Sequence, residues 1–434
     1  MTDSALDDIR VLDLTGETGV YATKLLADLG ADVIRIEPPS GDPLRDLGPF
    51  WHDETAADRS LTYFNLNTNK RSITLDIASA DGRALFEKLV ATADVVVESF
   101  EPGYLDSLGL GYEGLAKIRP DIILTSITGF GQDGPHARYK WSDIVGVAMS
   151  GMMTLAGEKE DPPNRPYGNQ GYVCAGIDGA AGTMMALVHR DATRRGEQAG
   201  EGQHVDVSMQ EALSINMETA MMTYDMTGRV ATRTGAKGII PIDIPGIGIY
   251  GAQDGQVFSY LGTPGGAPWT TMLDWMNREG KAEDLNDEPN ISIIKSLNLA
   301  FLTGLVREPE KLGERIAVLG HMYGVFSRFI ASFPKWYIYQ EAQKQRLMIG
   351  IVSTPEDLAK NPQLEYRQWY QDVEHDHLGA TVRYAGPPYR LTATPWSLRR
   401  RSPLPGEHNA EVFGELGLSA VEIERMSLGG VTSK

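Results

Sequence analysis

Two glycines lie between a strand and a helix near the start of the chain, where many nucleotide sites have their phosphate-binding turn. Gly16-Glu-Thr-Gly19 follows the strand-like stretch RVLDL, and Glu37 ends the next strand, about where a ribose-binding acid would lie. The dinucleotide fingerprint needs three glycines at fixed spacing, whereas this turn has two at another spacing. Glu17 would also face the pyrophosphate with like charge. The turn alone is therefore weak support for NAD or FAD binding.

Histidines offer a second chemistry, metal binding. Glu374-His-Asp-His377 places two imidazoles two residues apart, so on a strand they would share one face and could chelate a metal. The Leu-Gly that follows favours an exposed turn instead. The remaining histidines are scattered, and the chain has no Gly-x-Ser-x-Gly elbow to organise a nucleophile triad. We expect neither a metal site nor a hydrolase.

The chain is strongly acidic, so an anionic ligand needs a local group of cations. Its 434 residues carry a formal net charge of −18, which argues against nucleic acid or an anionic membrane as a general partner. Asn69-Lys70-Arg71 is one local basic group that could meet phosphate.

The expected location is cytoplasmic. The single cysteine, Cys174, excludes an internal disulfide, fits a reducing compartment and is interpreted as a small buried hydrophobe. No uninterrupted apolar run has membrane-spanning length, and residues 1–9 are acidic where a signal peptide would be basic.

Strand and helix patterns alternate through the first half of the chain. Strands are predicted at Arg10 to Leu14, Asp32 to Glu37, Asp94 to Phe100 and Asp121 to Thr128, with amphipathic helices between them. Ser79 is the expected N-cap of one helix. Strands separated by such helices predict a parallel sheet covered on both faces, hence an α/β fold.

The pattern changes after VDVSMQEALS. Residues 228–270 are rich in Gly, Pro and β-branched residues, 271–350 are mostly helical, and the tail returns to α/β character. A chain of this length is expected to form at least two domains. We predict a large Rossmann-like domain over 1–215, a linker and smaller α+β domain over 216–345, and a segment over 346–434 that returns to the large domain.

Several stretches in a fixed order resemble the class III, or formyl-CoA transferase-like, CoA-transferases. They cover nearly the whole chain and read IRVLDLTGETGVYATKLLADLGADVIRIEPPSGDPLR, FNLNTNKRSITLDI, VVVESFEPG, SITGFGQDGP, SDIVGVAMSG, the segment around Tyr172 with GQHVDVSMQEA, then PPYRLTATP and LPGEHNAEVFGELG. The resemblance implies a coenzyme A thioester as substrate and no covalently bound cofactor. It also implies CoA contacts at Gly16, Glu17, Thr18, Arg45, Asn69, Lys70, Arg71, Ser99 and Phe100.

Physical chemistry agrees with part of that assignment. Coenzyme A carries a 3′-phosphate and a pyrophosphate, which Asn69-Lys70-Arg71 and the backbone N–H groups of the Gly16 turn could hold. Phe100 would line the pantetheine channel by analogy. This chain departs from the family at three places. Glu101 stands where the family has a cation, and Val147 stands where it has a glutamine. The first turn, which contains Gly19-Val-Tyr21, is one residue shorter than in the family.

The largest departure is Tyr172, at the position of the family's nucleophilic aspartate. A carboxylate there attacks the acyl-CoA carbonyl to give a mixed anhydride, and CoA returns to form an aspartyl-CoA thioester. A phenol with an ordinary pKa near 10 cannot take that part. Tyr172 would instead shape the pocket or hydrogen-bond an acyl carboxylate. Asp178, six residues on, is the first candidate for a relocated carboxylate.

Three hypotheses follow for the function. In the first, the chain is one subunit of a heteromeric CoA-transferase, moving CoA from a donor such as succinyl-CoA to an organic acid, while a homologous subunit keeps the aspartate. Family members form an interlocked dimer, and those acting on aryl-substituted succinates have two kinds of subunit. In the second, the chain needs no such subunit and acts by itself or as a homodimer, as a transferase, isomerase or racemase that uses a relocated carboxylate. In the third, it binds CoA without catalysis.

Gly262-Thr-Pro-Gly-Gly266 resembles a loop that in relatives closes over the intermediate.

Overall fold

A six-stranded parallel sheet organises the first part of the chain in the computed structural model. The structure describes residues 4–433 except 197, 238–243, 263–266, 299–300 and 302–311. The strands within those residues are β1 (Arg10–Leu14), β2 (Asp32–Glu37), β3 (Arg71–Thr74), β4 (Val95–Glu98), β5 (Ile123–Thr128), β6 (Gln203–Ser208), β7 (Ile247–Ala252), β8 (Gly255–Tyr260), β9 (Ile349–Val352), β10 (Tyr370–His375) and β11 (Ala380–Ala385).

Helices follow most of these strands. In the described part of the chain they are α1 (Val20–Asp28), α2 (Leu61–Leu66), α3 (Ala80–Val90), α4 (Tyr104–Ser107), α5 (Tyr112–Ile118), α6 (Asp143–Met149), α7 (Met152–Leu155), α8 (Gln170–Thr193), α9 (Met209–Ser214), α10 (Glu218–Thr227), α11 (Trp269–Arg278), α12 (Asn290–Ser296), α13 (Leu312–Ala331), α14 (Lys335–Lys344), α15 (Pro355–Ala359), α16 (Pro362–Tyr366), α17 (Asn409–Glu415) and α18 (Ala420–Leu428).

The large sheet has the strand order β3-β2-β1-β4-β5-β6 and every pairing in it is parallel. This is the strand order found in dinucleotide-binding sheets. In it, β2 and β3 are added on one side of β1, and β4, β5 and β6 are added on the other side. Separate apolar clusters cover its two faces, one containing Leu12 and Val96, the other Val11 and Val97. The predicted α/β fold and parallel sheet are confirmed.

Local signals account for several element boundaries. The Ser79 side chain accepts a hydrogen bond from Gly82 N at 3.1 Å and caps α3, as predicted. Ser419 and Glu422 form a reciprocal capping box at the start of α18. β3 was not predicted, because RSIT is short and its neighbours Asn69 and Lys70 read as a turn.

By contacts the chain divides into two units. The first comprises Met1–Thr154, Arg165–Ala231 and Tyr366–Lys434, and the second comprises Leu155–Asn164 and Thr232–Glu365. The second unit extends beyond residue 345 because β9 pairs with β8 within it. The three-part assignment, 1–215, 216–345 and 346–434, stays a prediction.

The second unit has its own sheet and core. β7, β8 and β9 form an antiparallel sheet, and α11, α13 and α14 contribute to an apolar cluster that includes Trp269, Trp275 and Phe326. The predicted loop Gly262-Thr-Pro-Gly-Gly266 falls on residues 263–266, which lie outside the described residues.

Helix α8 is long and apolar. It is the one helix among the described residues with the length and composition to cross a membrane, a test that core helices of globular proteins also pass. Here α8 packs against α1, β5, β6 and α9. The close approach to α1 requires small residues, since a Cβ at Gly176 would lie 2.8 Å from the Tyr21 side chain. The helix is therefore a layer of the fold.

Candidate active site

The turns that follow β1 and β4 meet at the point where the strand order reverses. The Gly16 N–H, two residues past the end of β1, donates a 2.6 Å hydrogen bond to the hydroxyl of Ser99, the residue after β4. Open parallel sheets bind ligands at this crevice, outside the carboxyl ends of the strands. The structure thus brings together two of the predicted site residues at the expected place. Phe100, next in sequence, is half-buried and lies 4.8 Å from the Tyr104 ring.

Tyr172 is the third residue of α8 and faces the β1 turn. Burial and the nearby Glu17 carboxylate raise the pKa of the phenol, while hydrogen bonds with Thr18 and the Asp143 backbone oppose that shift. Thr18 is held in place because its hydroxyl accepts a 3.0 Å hydrogen bond from Trp141 Nε1. Tyr172 is therefore a neutral phenol at physiological pH, and it can donate a hydrogen bond but cannot act as a carboxylate nucleophile.

Asp143, which the sequence analysis did not single out, holds the start of α8. Its Oδ1 accepts hydrogen bonds from Gly171 N at 2.7 Å and Tyr172 N at 3.4 Å, and its Oδ2 lies 3.4 Å from Arg165 Nη1. These backbone groups would otherwise lack partners at the helix terminus. The only sequence signal was the position of Asp143 directly after Ser142 in SDIVGVAMSG.

A small cavity of about 60 Å³ lies beside Tyr172. Its polar lining comes from Glu17, Asn169, Thr62 and the tyrosines, and the remainder is apolar, with Val20, Leu44, Leu47, Leu66 and Val173. Glu17 is the one carboxylate among these lining residues. Burial and the charge of Asp143 raise its pKa above the ordinary value.

Lys70 lies inside the protein. Its side chain is fully buried, and the ammonium contacts Asp13 Oδ2 at 2.9 Å, Thr23 Oγ1 at 2.8 Å and Asn67 Oδ1 at 3.0 Å. Burial lowers the pKa of Lys70 to about 8, although the Asp13 charge opposes that shift. Three acceptors take its three protons, which argues against direct contact with a CoA phosphate. Sequence alone suggested an exposed cation, and the structure gives Lys70 an internal role.

Arg35 completes that internal cluster. It lies 2.8 Å from Asp13 Oδ1 and 2.5 Å from Asp42 Oδ2, in a site from which solvent is excluded. Burial would raise the pKa of Asp13, but the charges of Arg35 and Lys70 outweigh burial and hold it far below its ordinary value. The cluster ties β1, β2 and the segment before β3 together beneath the Gly16 turn.

The other predicted cationic and amide contacts are also engaged within the protein. Arg71 pairs with Asp32 at 2.6 Å and with Glu415 at 2.5 Å, and Arg45 forms a bidentate pair with Glu37 at 2.8 and 2.7 Å. Asn69 donates to Asp28 and to the Ser397 carbonyl. Neither guanidinium nor the amide is presented to a ligand in this structure, because each is satisfied by a neighbouring element.

Asp178 does not share the site of Tyr172. Six residues of α-helix move it about 9 Å along the axis and roughly 120° around it. Asp178 is exposed on α8, and partial desolvation of its carboxyl group raises the pKa above the ordinary value. Cys174, one turn before it, is half-buried rather than fully buried. The structure therefore separates this candidate carboxylate from Tyr172.

A second, larger cavity lies under the ends of β4, β5 and β6. It measures about 480 Å³ and is lined by Glu98, Ser126 and His204 among others. Burial raises the pKa of Glu98 to about 7, despite hydrogen bonds from Ser126 and the Phe100 backbone. Ser126 in turn contacts His204 Nε2 at 2.9 Å. Glu98 was noted only as part of ESFEPG, since sequence does not reveal how deeply a strand-end glutamate is buried.

The two histidines at 375 and 377 contact different partners within the protein. His375 is fully buried, not exposed as the turn interpretation expected, and its Nε2 lies 2.7 Å from the Tyr384 hydroxyl. His377 Nε2 instead lies 3.2 Å from the Asp58 carbonyl. Within the described part of the chain, no group of three or more His, Cys, Asp or Glu side chains is placed to hold a metal ion.

Comparisons with known proteins agree with the motif order. The model of CoA-transferase family III matches residues 6–409. The chain is 35% identical to the succinyl-CoA:(R)-benzylsuccinate CoA-transferase subunit BbsE of Thauera aromatica, covering 96% of this chain and 95% of that one. It is 30% identical to the succinyl-CoA:mesaconate CoA-transferase of Haloarcula hispanica, over 95% and 97% of the two chains.

A solved structure supports the same assignment. A CAIB/BAIF family protein from Brucella suis superposes with a TM-score of 0.79 at 28% identity, covering 95% of this chain and all of that one. The fold, the motif order and these matches extend over nearly the whole length of the protein. The chain belongs to CoA-transferase family III.

Proposed function

We propose that the protein is a subunit of a CoA-transferase that moves CoA from an acyl-CoA donor such as succinyl-CoA to an organic acid. The observation that carries this proposal is the family membership together with a succinyl-CoA donor in the names of several relatives, including the transferases for benzylsuccinate, mesaconate and D-citramalate. An aryl-substituted succinate is the acceptor we would test first, because the relative that acts on benzylsuccinate shares 35% identity.

A homologous subunit is part of this proposal. On the order of the motifs we assign Tyr172 to the position of the family's aspartate, and the Thauera aromatica relative is itself named as a subunit. We infer a heteromer whose second chain keeps the aspartate at the matching position, assembled as an interlocked dimer in the cytoplasm.

Exposed apolar side chains in the first unit favour such an assembly. Met185 and Val188 on α8 are 68% and 66% exposed, and Met222 and Met226 on α10 are 60% and 78% exposed. Helix faces of this kind are typical of surfaces that a partner covers.

The test is a CoA-exchange assay on the chain alone and on the chain coexpressed with a homologous subunit that has aspartate at the position of Tyr172. Succinyl-CoA serves as donor, and benzylsuccinate, mesaconate and acetate as acceptors. We expect the paired complex to form a new acyl-CoA from at least one dicarboxylic acid. A complex that assembles, yet transfers no CoA and binds no succinyl-CoA, would refute the proposal.

A further inference from the structure

We propose that the Glu17 carboxylate is the catalytic nucleophile of this chain's own site, beside Tyr172. The inference rests on the proposed CoA-transferase reaction, and it holds whether the chain works alone or next to a homologous subunit. It differs from the family arrangement because the carboxylate comes from the β1 turn rather than from the start of α8.

The first argument is position. Glu17 lies in the turn between β1 and α1, one residue after Gly16, at the crevice where β1 and β4 diverge. Its Oε2 is 3.5 Å from the Asn169 amide nitrogen, and Asn169 directly precedes α8. Glu17 and Tyr172 line the same cavity. The carboxylate therefore reaches the space that faces the start of α8, where the family has its aspartate.

The second argument is availability. Asp143 is the other carboxylate near Tyr172, but its two oxygens already serve Gly171, Tyr172 and Arg165. Asp178 lies about 9 Å further along α8 and on another side of the helix. Glu17 is exposed at the mouth of the cavity. Its carboxylate makes a long contact of 3.5 Å with the Asn169 amide, and no ion pair with it is found among the described residues. It remains free to meet a substrate.

The third argument is electrostatic. Partial burial and Asp143 raise the pKa of Glu17, so its carboxylate is more basic than that of an ordinary glutamate. A more basic carboxylate attacks a thioester carbonyl more readily. The neutral Tyr172 phenol beside it supplies a hydrogen-bond donor that can stabilise the oxyanion formed on attack.

The reaction balances without another reagent. A Glu17 oxygen attacks the acyl-CoA carbonyl, the C–S bond breaks, and an acyl-glutamyl anhydride and CoA thiolate form. The thiolate attacks the glutamyl carbonyl, which releases the donor acid as its carboxylate and leaves a glutamyl-CoA thioester. The acceptor carboxylate then attacks that thioester to form a second anhydride, and the expelled thiolate attacks the acceptor's carbonyl. The products are the new acyl-CoA and a regenerated Glu17 carboxylate.

Trapping with hydroxylamine tests the inference. The protein, together with any subunit that copurifies with it, is incubated with succinyl-CoA and hydroxylamine and digested for mass spectrometry. Anhydrides and thioesters of a glutamate side chain become hydroxamates. We expect the hydroxamate on the peptide that contains position 17, and we expect Glu17→Gln to remove it while the variant still binds succinyl-CoA.

Asp178→Asn is the matched control, since it removes the alternative carboxylate of this chain and should leave the label at position 17 unchanged. If CoA exchange proceeds but the hydroxamate forms only at position 178, or only on another subunit, the role of Glu17 is wrong and the proposed reaction stands. If no acid accepts CoA and no label forms in a folded complex, both are wrong.

Discussion

The Lys70 ammonium lies 2.9 Å from the Asp13 carboxylate, and both side chains are excluded from solvent. A buried pair of this kind is costly to break, because the remaining charge has no water around it. Lys70→Met should therefore destabilise the protein by about 3–5 kcal/mol in urea unfolding.

Lys140→Met provides the comparison, since Lys140 pairs with Glu101 on the surface and its loss should change stability little. The folded fraction of Lys70→Met should keep its affinity for succinyl-CoA. If Lys70→Met unfolds like the parent protein but has lost its affinity for succinyl-CoA, Lys70 contacts a CoA phosphate, as the sequence predicted.

Asp143 should stabilise the start of α8, because its carboxylate accepts hydrogen bonds from the first backbone N–H groups of the helix. Asp143→Ala leaves the Gly171 N–H without its 2.7 Å partner and removes the charge facing Arg165. We expect a loss of roughly 1–2 kcal/mol in stability, the range for a helix cap, together with a fall in CoA exchange because Tyr172 and the cavity wall shift. Ser419→Ala removes another helix cap, at α18. It should cost similar stability and leave exchange unchanged, which separates capping from placement of the site.

Sequence was sufficient for the elements around this site but not for the state of its charged groups. Apolar periodicity predicted β1, β2, α3 and the parallel sheet, because those patterns report burial along one element. Lys70 and Arg71 read as solvent-facing cations since their partners, Asp13 and Glu415, lie 57 and 344 residues away along the chain. Motif order located Tyr172, whereas the proximity of Glu17 to it depends on how two distant turns meet.

Glu98 should make stability depend on pH. Burial raises its folded pKa to about 7 from an ordinary 4.5, so the folded state binds its proton more tightly than the unfolded state. The resulting stabilisation is fully present below pH 4.5 and is lost as the pH rises through 7. By linkage the loss is about 3 kcal/mol.

Glu98→Gln removes this titration, so the variant should match the parent protein in acid and exceed its stability at about pH 8. Urea unfolding of both proteins across that range measures the difference. A difference that stays constant with pH would show that Glu98 keeps an ordinary pKa.

The exposed apolar face of α8 should matter for assembly rather than for folding. Val188→Glu introduces a charge where a 66% exposed valine stands, so we expect association with a second copy or homologous subunit to weaken at least about tenfold. Val421→Glu is the matched control, on a 64% exposed valine of α18, and should assemble normally. Sedimentation at several concentrations distinguishes the two. Equal assembly of both variants would exclude this face of α8 from the interface.

Tyr172→Asp tests whether the start of α8 still has the geometry for a nucleophile. The substitution places a carboxylate at the third residue of α8, beside the Gly171 N–H and the cavity that Glu17 lines. In the hydroxylamine experiment we expect a new hydroxamate at position 172. Label should also remain at position 17, lower than in the parent protein, because the two carboxylates repel and compete for one acyl group. Tyr172→Phe is the control: it keeps the ring, removes the hydroxyl donor, and should slow labelling at position 17 roughly a hundredfold to a thousandfold. Unchanged labelling in Tyr172→Phe would mean that the phenol takes no part in stabilising the oxyanion.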